Sequence, residues 1–351
     1  MKKIFASRIK AARVREGLSL RELSERMDGI VSHNAIKKYE DGIMLPDSKV
    51  LLALSKSLHV TTDYFFRESG TSVDQIEFRK KSRLGVKQLN SIKARSIDII
   101  DRYLELEEYL NISHSFSNPL ARMIIRNGED VEIAAEKLLQ AWKLGLNAIP
   151  VVVDVLEDNG VKVIEFDGVL DFDGLSGFAD GKIPVIVINK NFPADRKRLT
   201  SLHELGHLLL NFDSDLSDKD VERLSTRFAG AILFPRRTFF MEIGHKRNKD
   251  ISISELKGYK ELYGLSIQAI MARARDLGVI SQSQYVGFCI RVNQSEHLKK
   301  EIDCAYIGHE HSSRFMQLLY RATSEEIISL SKAASLANQK LAEFREGYIA
   351  L

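Results

Sequence analysis

The feature that most constrains this chain is a leucine-rich segment, residues 199–210, that carries two histidines and a glutamate. Residues four apart on a helix lie on one face, so a helix here projects His203 and His207 side by side. Six of the other positions are leucine, which predicts a buried helix. Buried imidazoles and a buried carboxylate need partners, and a metal ion supplies them. The segment therefore predicts a core helix with a metal site on one face.

The side chains of this segment favour zinc and hydrolytic chemistry. Neutral imidazoles at about 2.0–2.1 Å suit Zn²⁺. Glu204 follows His203 directly and is placed to take a proton from a water held at the metal, whose pKa zinc lowers to about 7. We therefore predict His203 and His207 as metal ligands and Glu204 as the general base.

A catalytic zinc site needs a third protein ligand, and the next periodic segment, residues 221–234, supplies candidates. A helix antiparallel to the first brings a carboxylate at its N-terminal end to the metal. Glu222 is the best placed, because it shares a helical face with small and apolar residues. Asp218 and Asp220 are expected to precede the helix.

Several stretches around this segment carry a family resemblance. They are His203-Glu204-Leu205-Gly206-His207, Glu222-Arg223-Leu224, residues 228–235, residues 173–178, residues 184–189, Ile149-Pro150-Val151 and residues 160–163. Over roughly residues 120–240 the chain resembles the ImmA/IrrE family of metallopeptidase-like proteins. The resemblance implies a zincin-like fold, in which a small twisted sheet packs on the metal-binding helix, and a third glutamate ligand that falls on Glu222. The family's common Glu-Ala-Asn is replaced here by Leu224-Ser225-Thr226, which leaves Glu222 as the available carboxylate.

Residues 5–66 predict a run of short helices separated by turns. Ser19-Leu20-Arg21-Glu22 forms the pattern of a capping box, and Ser32 is a good N-cap for a helix from about 33 to 40. Residues 1–68 hold 13 Lys and Arg against 9 Asp and Glu, whereas the remaining residues hold 38 against 39. Two short helices joined by a tight turn in a locally basic segment are typical of a helix-turn-helix.

This module resembles the XRE-type DNA-binding domain. The matching residues are Leu18-Ser19 with Glu22-Leu23, residues 36–42, Pro46, Leu51, Leu54 and residues 62–65. The resemblance implies a double-stranded DNA operator as partner. By position it places Ser32, His33, Asn34 and Lys37 near base edges or phosphates, with Arg21 and Lys38 flanking them. The alternative is a module that binds only protein partners.

These patterns predict an α+β multidomain chain. An all-α helix-turn-helix domain spans residues 1–68, up to a polar break at 68–72, and a helical linker follows over residues 69–118. A zincin-like zinc metallopeptidase domain then spans residues 119–245. A mostly helical C-terminal region, residues 246–351, is a candidate sensing or dimerisation surface, although its leucines are equally suited to completing the core.

Five further features carry expectations of their own. The apolar run 183–188 contains Pro184, which fits an edge strand that holds an extended peptide, and an ordinary interior strand is the equal alternative. Residues 285–292 are compatible with a strand between helices at 254–277 and 313–348. The basic run 79–83 is compatible with contact to the DNA backbone or with a solvated face. His309 and His311, two apart, are not expected to bind metal. Cys289 and Cys304 are expected to be buried.

We therefore predict a cytoplasmic, homodimeric DNA-binding regulator whose zinc endopeptidase domain cleaves a repressor-like protein or the chain itself. The apolar runs are far shorter than the roughly 20 residues of a membrane span. Two rival functions stay open from the residues alone. One is a repressor whose zinc site is structural or sensory and never turns over, and the other is an antitoxin-like repressor that binds a toxin partner.

Overall fold

The computed structural model describes residues 2–66, 73, 75–78, 85–112, 116–167 and 172–348. The expectations for the polar break at 68–72 and for the basic run 79–83 lie outside these residues. Within the described residues the chain comprises an all-helical N-terminal module, a small mixed sheet with flanking helices, and a mostly helical C-terminal part. This architecture confirms the predicted fold class.

The N-terminal module consists of four α-helices and a 3₁₀ turn. They are α1 (Lys2–Arg15), α2 (Leu20–Arg26), α3 (His33–Glu40), α4 (Ser48–Ser57) and the turn Thr62–Phe66. The predicted capping box at Ser19 and Glu22 is present, and the Ser32 hydroxyl accepts a hydrogen bond from the amide of Ala35. Arg13 ties α1 to α3 through a bidentate contact with Glu40, at 2.6 and 3.0 Å.

One long helix, α5 (Val86–Tyr109), connects this module to the rest of the molecule. Arg95 Nε donates to the carbonyl of Arg15 at the end of α1, at 3.0 Å. The apolar side of α5 packs Ile92 and Ile100 against the sheet. In the described residues of the linker there is one long helix. They also include a strand, β1 (Ile76–Phe78), that the sequence did not indicate.

The main sheet has four strands in the order β1-β4-β5-β3. They are β1, β3 (Lys162–Phe166), β4 (Gly174–Ala179) and β5 (Ile183–Asn189). Strand β3 pairs with β5 in parallel, whereas β4 is antiparallel to both β5 and β1. The expectation that residues 183–188 form an edge strand is wrong, because β5 lies between two neighbours. Pro184 is accommodated near the start of that interior strand.

The helices that surround the sheet place the predicted site. They are α6 (Gly128–Ala141), α7 (Val152–Asp158), α8 (Ala194–Leu209), α9 (Asp218–Leu233) and α10 (Arg236–Ile243), with a two-stranded parallel pair formed by β2 (Ile124–Ile125) and β6 (Asn211–Phe212). Helices α8 and α9 cross closely at Gly206. A Cβ atom there would lie 3.3 Å from Phe228 Cδ1 and 3.4 Å from Ser225 Cα. The glycine therefore allows the two helices to approach each other.

All the secondary-structure elements that the structure describes in the C-terminal part are helices. It contains α11 (Ile253–Tyr263), α12 (Ile267–Asp276), α13 (Gln282–Gln294), α14 (Glu296–Ile302), α15 (Arg314–Ser324), α16 (Leu330–Ala337) and α17 (Leu341–Gly347). The expectation of a strand at 285–292 is wrong, because Ser281 and Gln284 form a capping box that starts a helix through this segment. Helices α11 to α14 share the core of the sheet region. Helices α15 to α17 pack on Tyr103 and Leu106 of α5, so their leucines complete a core.

The segment around His309 and His311 has a structural role through the glutamate between them. Glu310 is buried, accepts a hydrogen bond from the amide of Val153 at 2.6 Å and pairs with the fully buried Arg198 at 3.1 Å. This pair ties the C-terminal part to α7 and α8. Both cysteines are free thiols and partly exposed, so the expectation that they are buried is wrong. No helix among the described residues combines the length and the apolar character that a membrane crossing demands.

Candidate metal centre

Helix α8 places the predicted metal-binding side chains at the boundary between core and solvent. Its leucines, including Leu202 and Leu205, are buried in the core of the sheet region. Glu204 is also buried, whereas His203 and His207 are partly exposed on the side of the helix that faces α9. This division follows from the sequence pattern, because the leucines outnumber the polar positions and claim the core-facing sides.

Three predicted ligands converge on one point. His203 Nε2 lies 3.1 Å from His207 Nε2, and each of these nitrogens lies 3.4 Å from a different carboxylate oxygen of Glu222. The imidazole rings are perpendicular to within about ten degrees, with centroids 4.7 Å apart. Of the described residues, these three alone form a cluster of at least three metal-ligating groups.

Glu222 reaches this point from α9. The helix begins at Asp218, so the expectation that Asp218 and Asp220 precede it is wrong. Ser217 is the N-cap, and its hydroxyl accepts from the amide of Asp220, which starts the helix one turn before the predicted residue 221. Glu222 nevertheless is the carboxylate that faces the two histidines.

The donor set fits zinc. Tetrahedral coordination at about 2.0–2.1 Å places neighbouring ligand atoms about 3.3 Å apart, by geometry from the Zn–ligand distances. The observed separations of 3.1 and 3.4 Å agree with that spacing. Two imidazoles and one carboxylate are a ligand set of catalytic zinc sites, which leave a fourth position for another ligand.

Thr226 contacts the outer side of His203. Its hydroxyl donates to the carbonyl of Glu222 at 2.9 Å and lies 3.1 Å from His203 Nδ1. Because the single hydroxyl proton is used on the carbonyl, Nδ1–H of His203 is the donor in the second contact. The other nitrogen, Nε2, then carries the lone pair toward the ligand cluster.

Glu204 is fixed from the side of the sheet. Ser176 on β4 donates its hydroxyl proton to Glu204 Oε2 at 2.7 Å, and both side chains are buried. Gly174, at the start of β4, lies so close to α8 that an added Cβ atom would be 2.8 Å from Thr200 Cγ2 and 3.0 Å from Glu204 Cγ. The first half of β4 therefore passes directly beside this glutamate.

A cavity of about 210 Å³ lies next to the ligand cluster, between α9 and α12. Its lining includes Thr226, together with the arginines at positions 223, 227, 273 and 275. Two of these, Arg227 and Arg273, share the buried carboxylate of Glu132. A larger cavity, about 680 Å³, lies at the N-terminal end of α8 and is not lined by any of the three clustered residues. None of the three clustered residues lines the smaller cavity either; its link to the centre is Thr226, which contacts His203.

Two family models match the chain, one over the metal centre and one over the N-terminal module. The sequence model of peptidase family M78, described as the IrrE N-terminal-like domain, matches residues 156–275, and a helix-turn-helix model matches residues 9–65. The two models identify an XRE-type helix-turn-helix module at residues 9–65 and an ImmA/IrrE-type peptidase domain at residues 156–275 of the same chain. No curated protein matches it. Family M78 is a family of zinc metallopeptidases, and the His-His-Glu cluster lies inside the matched range.

In the helix-turn-helix module, the residues predicted to contact DNA lie on one side of α3 and beside it. Asn34, Lys37 and Lys38 are exposed on α3, whereas Ile36 and Tyr39 are buried in the module core. Ser32, which caps α3, and Arg21 on α2 are also exposed, and His33 is partly exposed. Their assignment to DNA contacts stays a prediction, supported by the DNA-binding character of the family.

Two residues at the ImmA/IrrE-type centre were not assigned a role from the sequence. Ser176 and Thr226 are ordinary hydroxyl residues with no distinctive spacing relative to His203. Thr226 carries one available signal, because it lies four residues after Glu222 and therefore on the same face of the helix. Ser176 carries no such signal, because its contact with Glu204 depends on how β4 packs against α8.

Proposed function

We propose that this chain is a DNA-binding transcriptional regulator with a zinc-dependent endopeptidase activity. The observation that carries the proposal is the convergence of His203, His207 and Glu222, with Glu204 on the same helix turn. Zinc held by the three ligands supplies a Lewis acid that polarises a peptide carbonyl and lowers the pKa of water. The residues of the chain then provide position and proton transfer.

Glu204 is the proposed general base. It accepts a proton from the attacking water and passes it to the nitrogen of the departing peptide, the two transfers that peptide hydrolysis requires. Ser176 holds one carboxylate oxygen of Glu204 and thereby sets the plane of the group. Glu204 is 1% exposed, so little bulk water competes for its charge.

The proposed substrate is a repressor-like protein or the chain itself, and the proposed DNA partner is a double-stranded operator. Cleavage then relieves repression. We also propose that two copies act together, because helix-turn-helix regulators usually bind two half-sites. The operator contacts are assigned to Ser32, His33, Asn34 and Lys37, with flanking contributions from Arg21 and Lys38.

The experiment compares zinc-loaded wild-type protein with Glu204→Gln. Each is incubated alone, to test self-cleavage, and with a proteome-derived peptide library, and products are identified by mass spectrometry. We expect new termini from the wild type and at least a hundredfold slower appearance with Glu204→Gln, because general base catalysis contributes about 10²–10⁴-fold. Equal zinc content with no product from the wild type would contradict the peptidase function.

One observation favours a second function, a repressor whose zinc never turns over. The Glu204 carboxylate is buried and hydrogen-bonded, which also suits a purely structural residue. The two functions differ in their genetic consequences. If the zinc site is structural, repression of a reporter operator is unchanged by Glu204→Gln and is lost with His203→Ala. If cleavage relieves repression, Glu204→Gln gives a repressor that can no longer be induced.

A further inference from the structure

The edge of strand β4 passes the candidate metal centre and is already partly occupied. On one side β4 pairs along its whole length with β5. On the other side β1 pairs with it in antiparallel register at Gly177, Phe178 and Ala179. Within the described part of the chain, no strand pairs on that side with the half of β4 from Gly174 to Ser176. This is the half that contacts Glu204.

The register of β1 determines where a longer strand would run. Phe78 is opposite Gly177, so an extended peptide that continued in this register would be opposite Ser176, Leu175 and then Gly174. It would therefore pass beside Glu204. Strand addition of this kind supplies affinity through main-chain hydrogen bonds and tolerates many sequences. The β4 edge thus fits an extended peptide as its partner.

Gly177 shows that β4 is shaped for close approach of a second backbone. At Gly177 an added Cβ atom would overlap with the carbonyl oxygen of Glu77 on β1. The backbone of Gly177 is not left-handed, so close approach and not conformation explains the glycine.

The residue before β1 is anchored to both the main chain and the side chain of Asp180, the residue after β4. The Asp180 amide donates to the carbonyl of Gln75 at 3.0 Å, and the Gln75 amide donates to Asp180 Oδ1 at 3.1 Å. Ile76 is 2% exposed and belongs to the core between the sheet and α5. Just before it, the Val73 amide donates to the buried Asp101 Oδ1 of α5 at 2.8 Å. These contacts attach the connection between the two modules to the peptide-binding edge.

We propose that β1 is an internal occupant of the peptide-binding edge of β4 and restrains the peptidase site by competing with substrate. The restraint of peptide cleavage rests on the proposed function. The competition between β1 and a peptide for the edge of β4 is a binding property that can be measured without cleavage. A tethered strand competes at an effective concentration of about millimolar. If β1 covers the edge more than nine-tenths of the time, the apparent affinity for an added peptide falls at least tenfold.

The test measures peptide binding without turnover. The probe is a fluorescein-labelled peptide with the sequence of residues 73–84, VDQIEFRKKSRL, added to zinc-loaded full-length protein that carries Glu204→Gln. Ile76→Asp places a charge in the core and releases β1, whereas Glu77→Gln changes an exposed side chain of the same strand and serves as the matched control. Hydrogen exchange of the peptide that covers residues 174–180 reports whether β1 has left β4.

We expect the Ile76→Asp protein to bind the probe at least tenfold more tightly than the Glu77→Gln protein, with faster exchange over residues 174–180. Equal affinity in the two proteins, with β1 shown to be released, would overturn the inference. If Ile76→Asp leaves exchange unchanged or unfolds the protein, Glu77→Pro replaces it, because proline removes an amide from the pairing of β1 with β4. The affinity of the Glu77→Pro protein for the probe is then compared with that of the Glu77→Gln protein. If the Ile76→Asp protein binds the probe more tightly and yet, with Glu204 restored, cuts no peptide, that result would contradict the proposed function alone.

Discussion

The hydroxyl of Thr226 lies 3.1 Å from Nδ1 of His203 and donates its own proton to the Glu222 carbonyl, at 2.9 Å. One side chain thus contacts both ligand-bearing residues and fixes the imidazole tautomer. Outer hydrogen-bond partners of this type usually account for about 10–100-fold in metal affinity. We expect Thr226→Val to weaken zinc binding within that range while the fold is retained. Competition with a chromogenic chelator measures the affinity, and Thr226→Ser, which keeps the hydroxyl, is the matched control. Unchanged affinity in Thr226→Val would contradict the orienting role.

Ser176 tests the position of the proposed base independently of the metal. Ser176→Ala removes the hydrogen bond to Glu204 Oε2 and leaves all three ligands in place. We expect kcat for peptide cleavage to fall about tenfold, a part of the 10²–10⁴-fold that a general base contributes, with KM and zinc content unchanged. A proportional loss of zinc would instead show that Ser176 supports the fold of the site.

The predicted DNA contacts follow a salt-dependence rule. Lys37 is exposed on α3 and pairs with Asp41 at 2.8 Å, an exposed pair that is easily exchanged for a phosphate. Each phosphate contact that is lost makes the slope of log K against log salt less steep by about 0.9. We expect this change for Lys37→Ala on operator DNA and no change for Lys299→Ala, which lies on α14. Fluorescence anisotropy over a series of salt concentrations provides the slopes, and identical slopes would remove Lys37 from the interface.

Stability should depend on pH through Glu157. Burial raises the pKa of this carboxyl from 4.5 to about 7, partly opposed by the hydrogen bond from Ser312 and the charge of Lys162. Between these two values the folded state binds more protons than the unfolded state, so the free energy of unfolding falls as pH rises from about 4.5 to 7. At about 1.4 kcal/mol for each pH unit, the loss is at most about 3.5 kcal/mol. Chemical denaturation of wild type and Glu157→Gln at pH 5 and pH 7.5 tests this, because the variant should lose less stability over the interval.

Much of the N-terminal module and of helix α8 follows from local rules. Caps such as Ser19 and Ser32 set helix starts, and the leucines around His203 define which face is buried. The convergence on Glu222 was also indicated, because one carboxylate shares a face with the packed side of its helix. These features depend on residues close in sequence, and helix caps and helical periodicity can be read from a single sequence.

The remaining features depend on contacts between distant residues. Pro184 suggested an edge strand, but the outermost strands of the sheet are β1 and β3. The three residues of β1 carry no distinctive pattern. Apolar residues from 285 to 292 suit a strand or a helix, and the capping box at Ser281 decides for the helix. Glu310 stabilises the core from far along the chain through Arg198, a pairing that no spacing rule reveals.

The most direct test of the metal centre is the zinc content of purified protein, measured by inductively coupled plasma mass spectrometry after dialysis. The account predicts one zinc per chain for wild type, for Glu204→Gln and for Asp218→Asn. The last substitution changes an exposed carboxylate in the first turn of α9, the helix that carries Glu222. It predicts less than a tenth of that for His203→Ala and for Glu222→Gln, with folded protein in each case by circular dichroism. Full zinc content in the Glu222→Gln protein, or none in the wild type, would contradict it.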